Sequence, residues 1–340
     1  MDNSRKNIKG RINYLDYIRT FAILLVIGIH SPIPVDNANG LIYSFVTVLC
    51  TPCNALFFMV SGALLLPMKE ESWKPFLKRR LSKVLIPLLF WSVFTLFVQY
   101  VEGVKTLSEV LKDFCLLPLF PHANYNFWFV YVLTGLYLLT PIISSWIKAS
   151  ESAEIRYFLY IWLAALLCMM LSFCNVKMPK SVNGTLYYFN GWGGCFILGY
   201  YLHKYEIKGR IVKWIPLILL PFAVYLGLKY LSIDYDYQEI LGYISLLTIL
   251  SAASWFTILK KMDKHRNWIE MASNLSFGVY LCHTFFRDYL VCKIPAIYNY
   301  GSLVLVISIW VLTAILSFCF VYFASKLPYS HYIIGYSSRK

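Results

Sequence analysis

The chain has 340 residues, 59 % of them hydrophobic and 14 % charged, and a formal net charge of +14. That balance excludes a soluble globular enzyme and predicts an all-α polytopic membrane protein. No soluble stretch or long linker could hold a separate activity, so residues 1–340 read as one membrane domain with short tails at 1–13 and 326–340.

Apolar stretches predict a bundle of about ten transmembrane helices, at 14–31, 41–67, 84–101, 126–147, 155–174, 185–203, 211–231, 239–259, 275–294 and 299–325. Several contain Gly or Pro, such as Pro52, Pro87, Pro141 and Pro221, whose freed backbone groups neighbouring helices can satisfy. The first apolar run ends in Ser31-Pro-Ile-Pro without a small-x-small cleavage site, so a signal peptide is not expected.

The first segment carries the densest chemistry. Its uninterrupted apolar run, Phe21 to Ile29, is too short to cross a bilayer, which needs about 20 residues. To span, the helix must carry Asp16 and Arg19 inside one end and His30 inside the other. Arg19 and His30 are close to three full turns apart, so they share a stripe, about 16 Å apart along the axis. Asp16 precedes Arg19 by three residues and is expected to pair with it. Ionisable groups within a span usually face a polar interior; the plainer alternative has Arg19 snorkelling to headgroups and His30 at an interface.

Lys78-Arg79-Arg80-Leu-Ser-Lys83 leads into the third span, a cluster suited to anionic lipid or to a phosphate-rich ligand. In the ninth, Ser276, Tyr280, His283 and Arg287 follow at intervals of four, three and four, so one helical face carries four polar groups. That face is expected to line the protein interior. Between spans lie aromatic and polar segments: 121–128, 186–192, 234–238 and 297–300. They suit either an interfacial belt or a sugar-binding surface.

Most Lys and Arg fall in the amino terminus, in the loops after even-numbered spans and in the carboxyl terminus. The positive-inside rule then puts both termini in the cytoplasm. The net charge is thus a topology signal and no evidence for nucleic acid. The cysteines lie mostly in or at the ends of spans, as small hydrophobes. Cys50-Thr-Pro-Cys53 has redox spacing without a strand–helix context. The other histidines are scattered, and no metal site is expected.

Leu15-Asp-Tyr-Ile-Arg19, followed by ten residues and then His30, resembles the opening signature of the acyltransferase-3 family of integral membrane proteins. Leu56-Phe-Phe-Met-Val-Ser-Gly62, the basic stretch 76–87, Trp128-Phe-Val with Tyr137 and Pro141, and the Ser276–His283 segment are similar to its later motifs, in order. The compact architecture looks closest to the branch of the enterobacterial common antigen O-acetyltransferase. Lys83 and Asn126 depart from the pattern, standing where relatives commonly have Arg and His. Lys keeps the charge and loses the fork.

The resemblance implies an O-acyltransferase of the bacterial inner membrane. It would move an acyl group, usually acetyl, from cytoplasmic acyl-CoA to a hydroxyl of a surface polysaccharide or lipid-linked sugar. Acyl-CoA (acetyl-CoA) is then a co-substrate, with no bound cofactor, and membrane lipid and the glycan are the other partners. Arg19 and His30 would be catalytic; Arg19, Arg79, Arg80 and Lys83 would hold donor phosphates. Asp16, Ser61, Trp128, Ser276, Tyr280 and His283 would support them. His30 suits a general base or an acyl acceptor. The rival is a transporter or flippase for a lipid-linked saccharide, which also needs broken spans and an intramembrane polar path.

Overall fold

The computed structural model describes residues 11–32, 40–69, 72–170, 186, 189–206, 210–233 and 237–338. Among these residues there is no strand. The helices are α1 Asn13–His30, α2 Leu41–Cys50, α3 Cys53–Leu65, α4 Trp73–Val101, α5 Leu107–Leu116, α6 Trp128–Ala149, α7 Ser152–Met170, α8 Gly193–Lys204, α9 Ile215–Tyr230, α10 Tyr237–Ile240, α11 Leu246–Leu259, α12 Asn267–Tyr289, α13 Ser302–Ala324 and α14 His331–Ile334. Six helical stretches are long and apolar enough to cross a membrane: Leu41–Leu65 (α2 with α3), α4, Tyr125–Ala149 (α6 with the turn before it), α7, Ile211–Tyr230 (α9 with its lead-in) and α13. That test, by length and composition alone, does not reach the expected ten. Residues 171–185 and 234–236, which the sequence assigns in part to spans and aromatic segments, lie outside the described residues.

The helices sort by what surrounds them. α1 is buried on nearly every side, from Leu15 and Ile18 through Ala22 and Ile23 to Ile27, and its stretch from Phe21 to Ile29 is apolar all round, as in helices that are enclosed by others. α4 and α13 sit outside. Leu85, Leu89, Val93 and Phe97 repeat every four residues along α4 and are exposed, as are Leu303, Ile307, Val311 and Ile315 along α13. Such long apolar stripes fit a lipid surface.

Inside, hydroxyls are common and mostly self-satisfied. Thr134, Thr140, Ser254 and Thr257 each donate to the carbonyl one turn earlier at 2.8 Å, which a chain with no water nearby requires of its polar groups. Two glycines set the tightest contact. A Cβ on Gly62 would lie 1.7 Å from the Phe196 carbonyl oxygen, and one on Gly199 would lie 1.9 Å from that of Met59. α3 and α8 therefore touch backbone to backbone, each through the other's glycine.

α1 and α12 run parallel, side by side. Where α1 begins, the Ser273 hydroxyl donates to Asp16 Oδ1 at 2.7 Å. Where it finishes, Arg287 Nη1 donates to the His30 carbonyl at 3.0 Å. Both pairs are 257 residues apart in sequence, so the two helices stay in register. These two levels are called the near end and the far end of the bundle below.

The structure adds three features that the apolar runs do not announce. The second span breaks at Thr51-Pro52 into α2 and α3. The short helix α5 closes the connection after α4, capped by a reciprocal Thr106–Glu109 pair. Its ten residues are too few to span and none is buried. After α13 the chain turns back, and α14 packs between α4 and α12. There Trp91 Nε1 donates to the Ile333 carbonyl at 3.0 Å, and Ile334 fills the space beside Gly278.

Candidate active site

At the near end the expected Asp16–Arg19 pair does not form. Asp16 accepts instead from Arg11, through Nε at 2.6 Å and Nη2 at 2.9 Å, and from Ser273. Arg11 precedes α1, so its guanidinium can swing into the plane of the carboxylate and use both prongs of its fork. The same Arg11 also reaches Asn274 Oδ1 at 3.1 Å and Glu270 Oε1 at 3.4 Å, pinning the start of α12 to that of α1.

Half-buried and without an ion pair among the described residues, Arg19 still feels the Asp16 charge, and it lies within electrostatic range of Tyr137 on α6 and of Arg80 on α4. Arg80 is also half-buried, and its Nε has no hydrogen-bond partner. Two guanidinium groups within electrostatic range of one another repel, and an anion bound between them would relieve that repulsion. Arg79 and Lys83, four residues apart, take another face of α4 and are exposed. The structure thus splits the four expected donor-binding cations: Arg19 and Arg80 are half-buried, while Arg79 and Lys83 stand at the surface.

At the far end His30 lines a cavity of about 660 Å³. Tyr43, Thr47, Tyr125, Asn126, Gln238 and Tyr243 share its wall, so hydroxyls and amides alternate with aromatic faces. Thr51, at the break between α2 and α3, lines it too; irregular backbone at membrane depth is found where it borders such a cavity. His30 Nδ1 is buried with no partner. Behind it, 5.2 Å away between ring centroids, lies His283, which is 1 % exposed.

The remaining expected residues divide. Tyr280 donates its hydroxyl to the Asn126 carbonyl, and so holds the segment that walls the cavity. Trp128 packs against Tyr243 and Trp192, with centroids 5.7 and 5.6 Å apart, backing that wall. Ser61 and Ser276 line neither this cavity nor its neighbour. Each spends its hydroxyl proton on its own helix, Ser61 on Phe57 at 2.9 Å and Ser276 on Ser273 at 2.8 Å. Arg287 is held by its neighbour Asp288, through Nε at 2.6 Å and Nη2 at 2.9 Å.

One helix therefore joins a half-buried arginine, within electrostatic range of a second, to a polar, aromatic cavity that an imidazole borders. A family model described as an acyltransferase domain, that of the acyltransferase-3 family, matches residues 12–326. The chain belongs to this family. No curated protein and no solved structure matches the chain. Acyltransferase-3 membership implies membrane acyltransferase activity, and with it the transporter alternative is set aside. The apolar helices and the family together point to a multi-pass membrane protein.

Within this acyltransferase-3 chain, several cavity residues were not singled out from sequence. Tyr43, Thr47, Tyr225 and Lys229 come from the far ends of α2 and α9, within apolar stretches that hide them. The aromatic segments did carry a signal. Tyr125 and Asn126 belong to one, and Gln238 to another; both segments reach the cavity wall. The segment 297–300 does not.

Proposed function

We propose that the protein is an O-acyltransferase that moves an acyl group, acetyl in the first instance, from acyl-CoA to a sugar hydroxyl. The acceptor is a surface polysaccharide or lipid-linked glycan, in keeping with the resemblance to the enterobacterial common antigen O-acetyltransferase branch. The protein sits in the bacterial inner membrane with both termini cytoplasmic, so the near end faces the cytoplasm. The reading rests above all on one observation: Arg19 and His30, on a single buried helix, belong to two chemically different sites at its two ends.

The donor's phosphates bind at the near end. Arg19 and Arg80 supply charge-assisted hydrogen bonds there, and the exposed Arg79 and Lys83 attract the anion from solution. The thioester extends along α1 toward His30. At the far end the aromatic faces cover the apolar side of a sugar, and the amides and hydroxyls bond its rim.

Neutral His30 takes the proton of the acceptor hydroxyl as that oxygen attacks the thioester carbonyl. The new C–O bond forms, the C–S bond breaks, and the CoA thiolate leaves with the proton that the imidazolium returns. An acyl group resting on His30 between two half-reactions is the stepwise form of the same transfer. His283 positions His30 from behind.

The test uses purified protein in nanodiscs with radiolabelled acetyl-CoA and de-O-acetylated surface polysaccharide from the producing strain. Base-labile label on the glycan, lost in His30→Ala, is the expected result. Equal transfer by a well-folded His30→Ala protein overturns the reading. Label on the protein after acid-free denaturation, removed by hydroxylamine and absent from His30→Ala, identifies the stepwise form.

A further inference from the structure

A second cavity, of about 320 Å³, adjoins the first at the far end. The two share Tyr125 and Asn126 as lining residues, so a single turn of chain forms the wall between them. That wall is fixed on both sides. Asn124 Oδ1 accepts from the Asn126 amide at 2.9 Å, and Asn124 Nδ2 donates to the Thr284 hydroxyl at 3.2 Å. Both volumes fall within the roughly 300–1,000 Å³ usual for small-molecule sites.

The chemistry of the second cavity is that of a carbohydrate site. Gln99, Asn124, Thr284 and Asp288 supply polar groups, and Phe285 and Tyr289, stacked at 5.1 Å, supply flat faces. Gln99 is anchored through Nε2 to the Ala123 carbonyl at 3.2 Å. Its Oε1 is buried with no partner, and a buried acceptor of this kind calls for a donor such as a hydroxyl. No Lys or Arg lines the cavity, the His122 imidazole in its wall faces the Asp113 carboxylate at 3.5 Å, and the Asp288 carboxylate is already matched by Arg287. A phosphate or a uronic acid would find no Lys or Arg there, and His122 already has a carboxylate beside it; an uncharged sugar would find hydroxyl partners. Tyr125, 80 % exposed, stands between the cavities where a glycosidic link would cross.

From this we infer that the second cavity is a subsite for the uncharged sugar unit next to the one acylated, so the acceptor is recognised as at least two linked sugars. The inference rests on the His30 cavity holding the reacting sugar. Arg287 binds Asp288 in one subsite and the His30 carbonyl at the edge of the other, which ties the two together.

The experiment takes a partial hydrolysate of the de-O-acetylated surface polysaccharide, fractionated by length from one sugar upward. Each fraction is offered with labelled acetyl-CoA to the wild-type protein and to the Gln99→Leu and Thr284→Val variants, each checked for monodispersity and acetyl-CoA binding. For wild type, kcat/KM is expected to rise at least tenfold from one sugar to two and then to level off. In both variants that rise is expected to shrink at least fivefold, through KM. Equal use of single sugars and oligomers overturns the inference and leaves the proposed function standing. So does a length dependence that both variants keep. No transfer to any fraction, by wild type as by His30→Ala, takes the proposed function down and the inference with it.

Discussion

The rings of His30 and His283 lie 5.2 Å apart between centroids and 35° from parallel, yet no hydrogen bond joins them. His283 Nδ1 faces the Tyr280 carbonyl at 2.7 Å, so Nδ1 carries the proton and Nε2 keeps its lone pair. That Nε2 and His30 Nδ1 are both buried without partners. Two such nitrogens at one site carry a cost that packing alone does not justify.

The pair separates a reacting group from a positioning one. His30→Ala is expected to lower kcat by about 10²–10⁴-fold, the usual share of a general base. His283 lines neither cavity, so His283→Phe should cost about tenfold or less in kcat with KM for the acceptor unchanged. Steady-state kinetics on both variants check this. A loss in His283→Phe as large as in His30→Ala would make His283 the reacting residue.

Arg80 and Arg79 are neighbours in sequence and differ in surroundings. Arg80→Gln is expected to weaken acetyl-CoA binding by about 10–100-fold, the worth of a charge-assisted hydrogen bond of about 1.5–3 kcal/mol. Arg79→Gln, on the exposed face, should cost about threefold and flatten the salt dependence. Arg19→Lys retains charge without the fork and should fall between them. Isothermal titration at two ionic strengths distinguishes the three.

Asp16 is a fastener of α1 to α12. Asp16→Ala strands Arg11 and Ser273 and is expected to destabilise the protein by about 1–3 kcal/mol. Acetyl-CoA affinity should change by no more than about threefold at a temperature where the variant stays folded, since this carboxylate acts on Arg19 through space and makes no ion pair with it. Thermal unfolding in detergent and a binding titration, run on the same sample, give both readings.

Gly62→Ala and Gly199→Ala each drive a methyl into a facing carbonyl. Each should cost about 3 kcal/mol or more, at the upper end of overpacking, and reduce the yield of monodisperse protein. Ser61→Ala, one residue away, removes only a bond to its own helix and should be nearly neutral. The contrast is read by fluorescence-detected size exclusion.

Much of the helical layout was legible because apolar runs of spanning length leave few alternatives. The polar face of α12 was legible too, from intervals of four and three, and Ser276, Tyr280, His283 and Arg287 are all buried. The partner of Asp16 was not. Spacing within a helix favoured Arg19, whereas Arg11 reaches in from outside the helix with better geometry. The inward turn of Arg80 was not separable from Arg79 until α6 brought Tyr137 alongside. The second cavity was the least legible. Gln99, Asn124, Thr284 and Asp288 come from three separate segments, and only folding sets them side by side.

The tucked turn α14 bears on how the protein is made. It is synthesised after every other helix described, yet it fills the seam between α4, among the first, and α12. Trp91 finds its acceptor, and Gly278 its second close neighbour after Val321, only once residues 331–334 arrive. Until then α4 and α12 must wait in the bilayer with that seam open to lipid. The order of translation therefore leaves the bundle unfinished until its latest element comes back to close it.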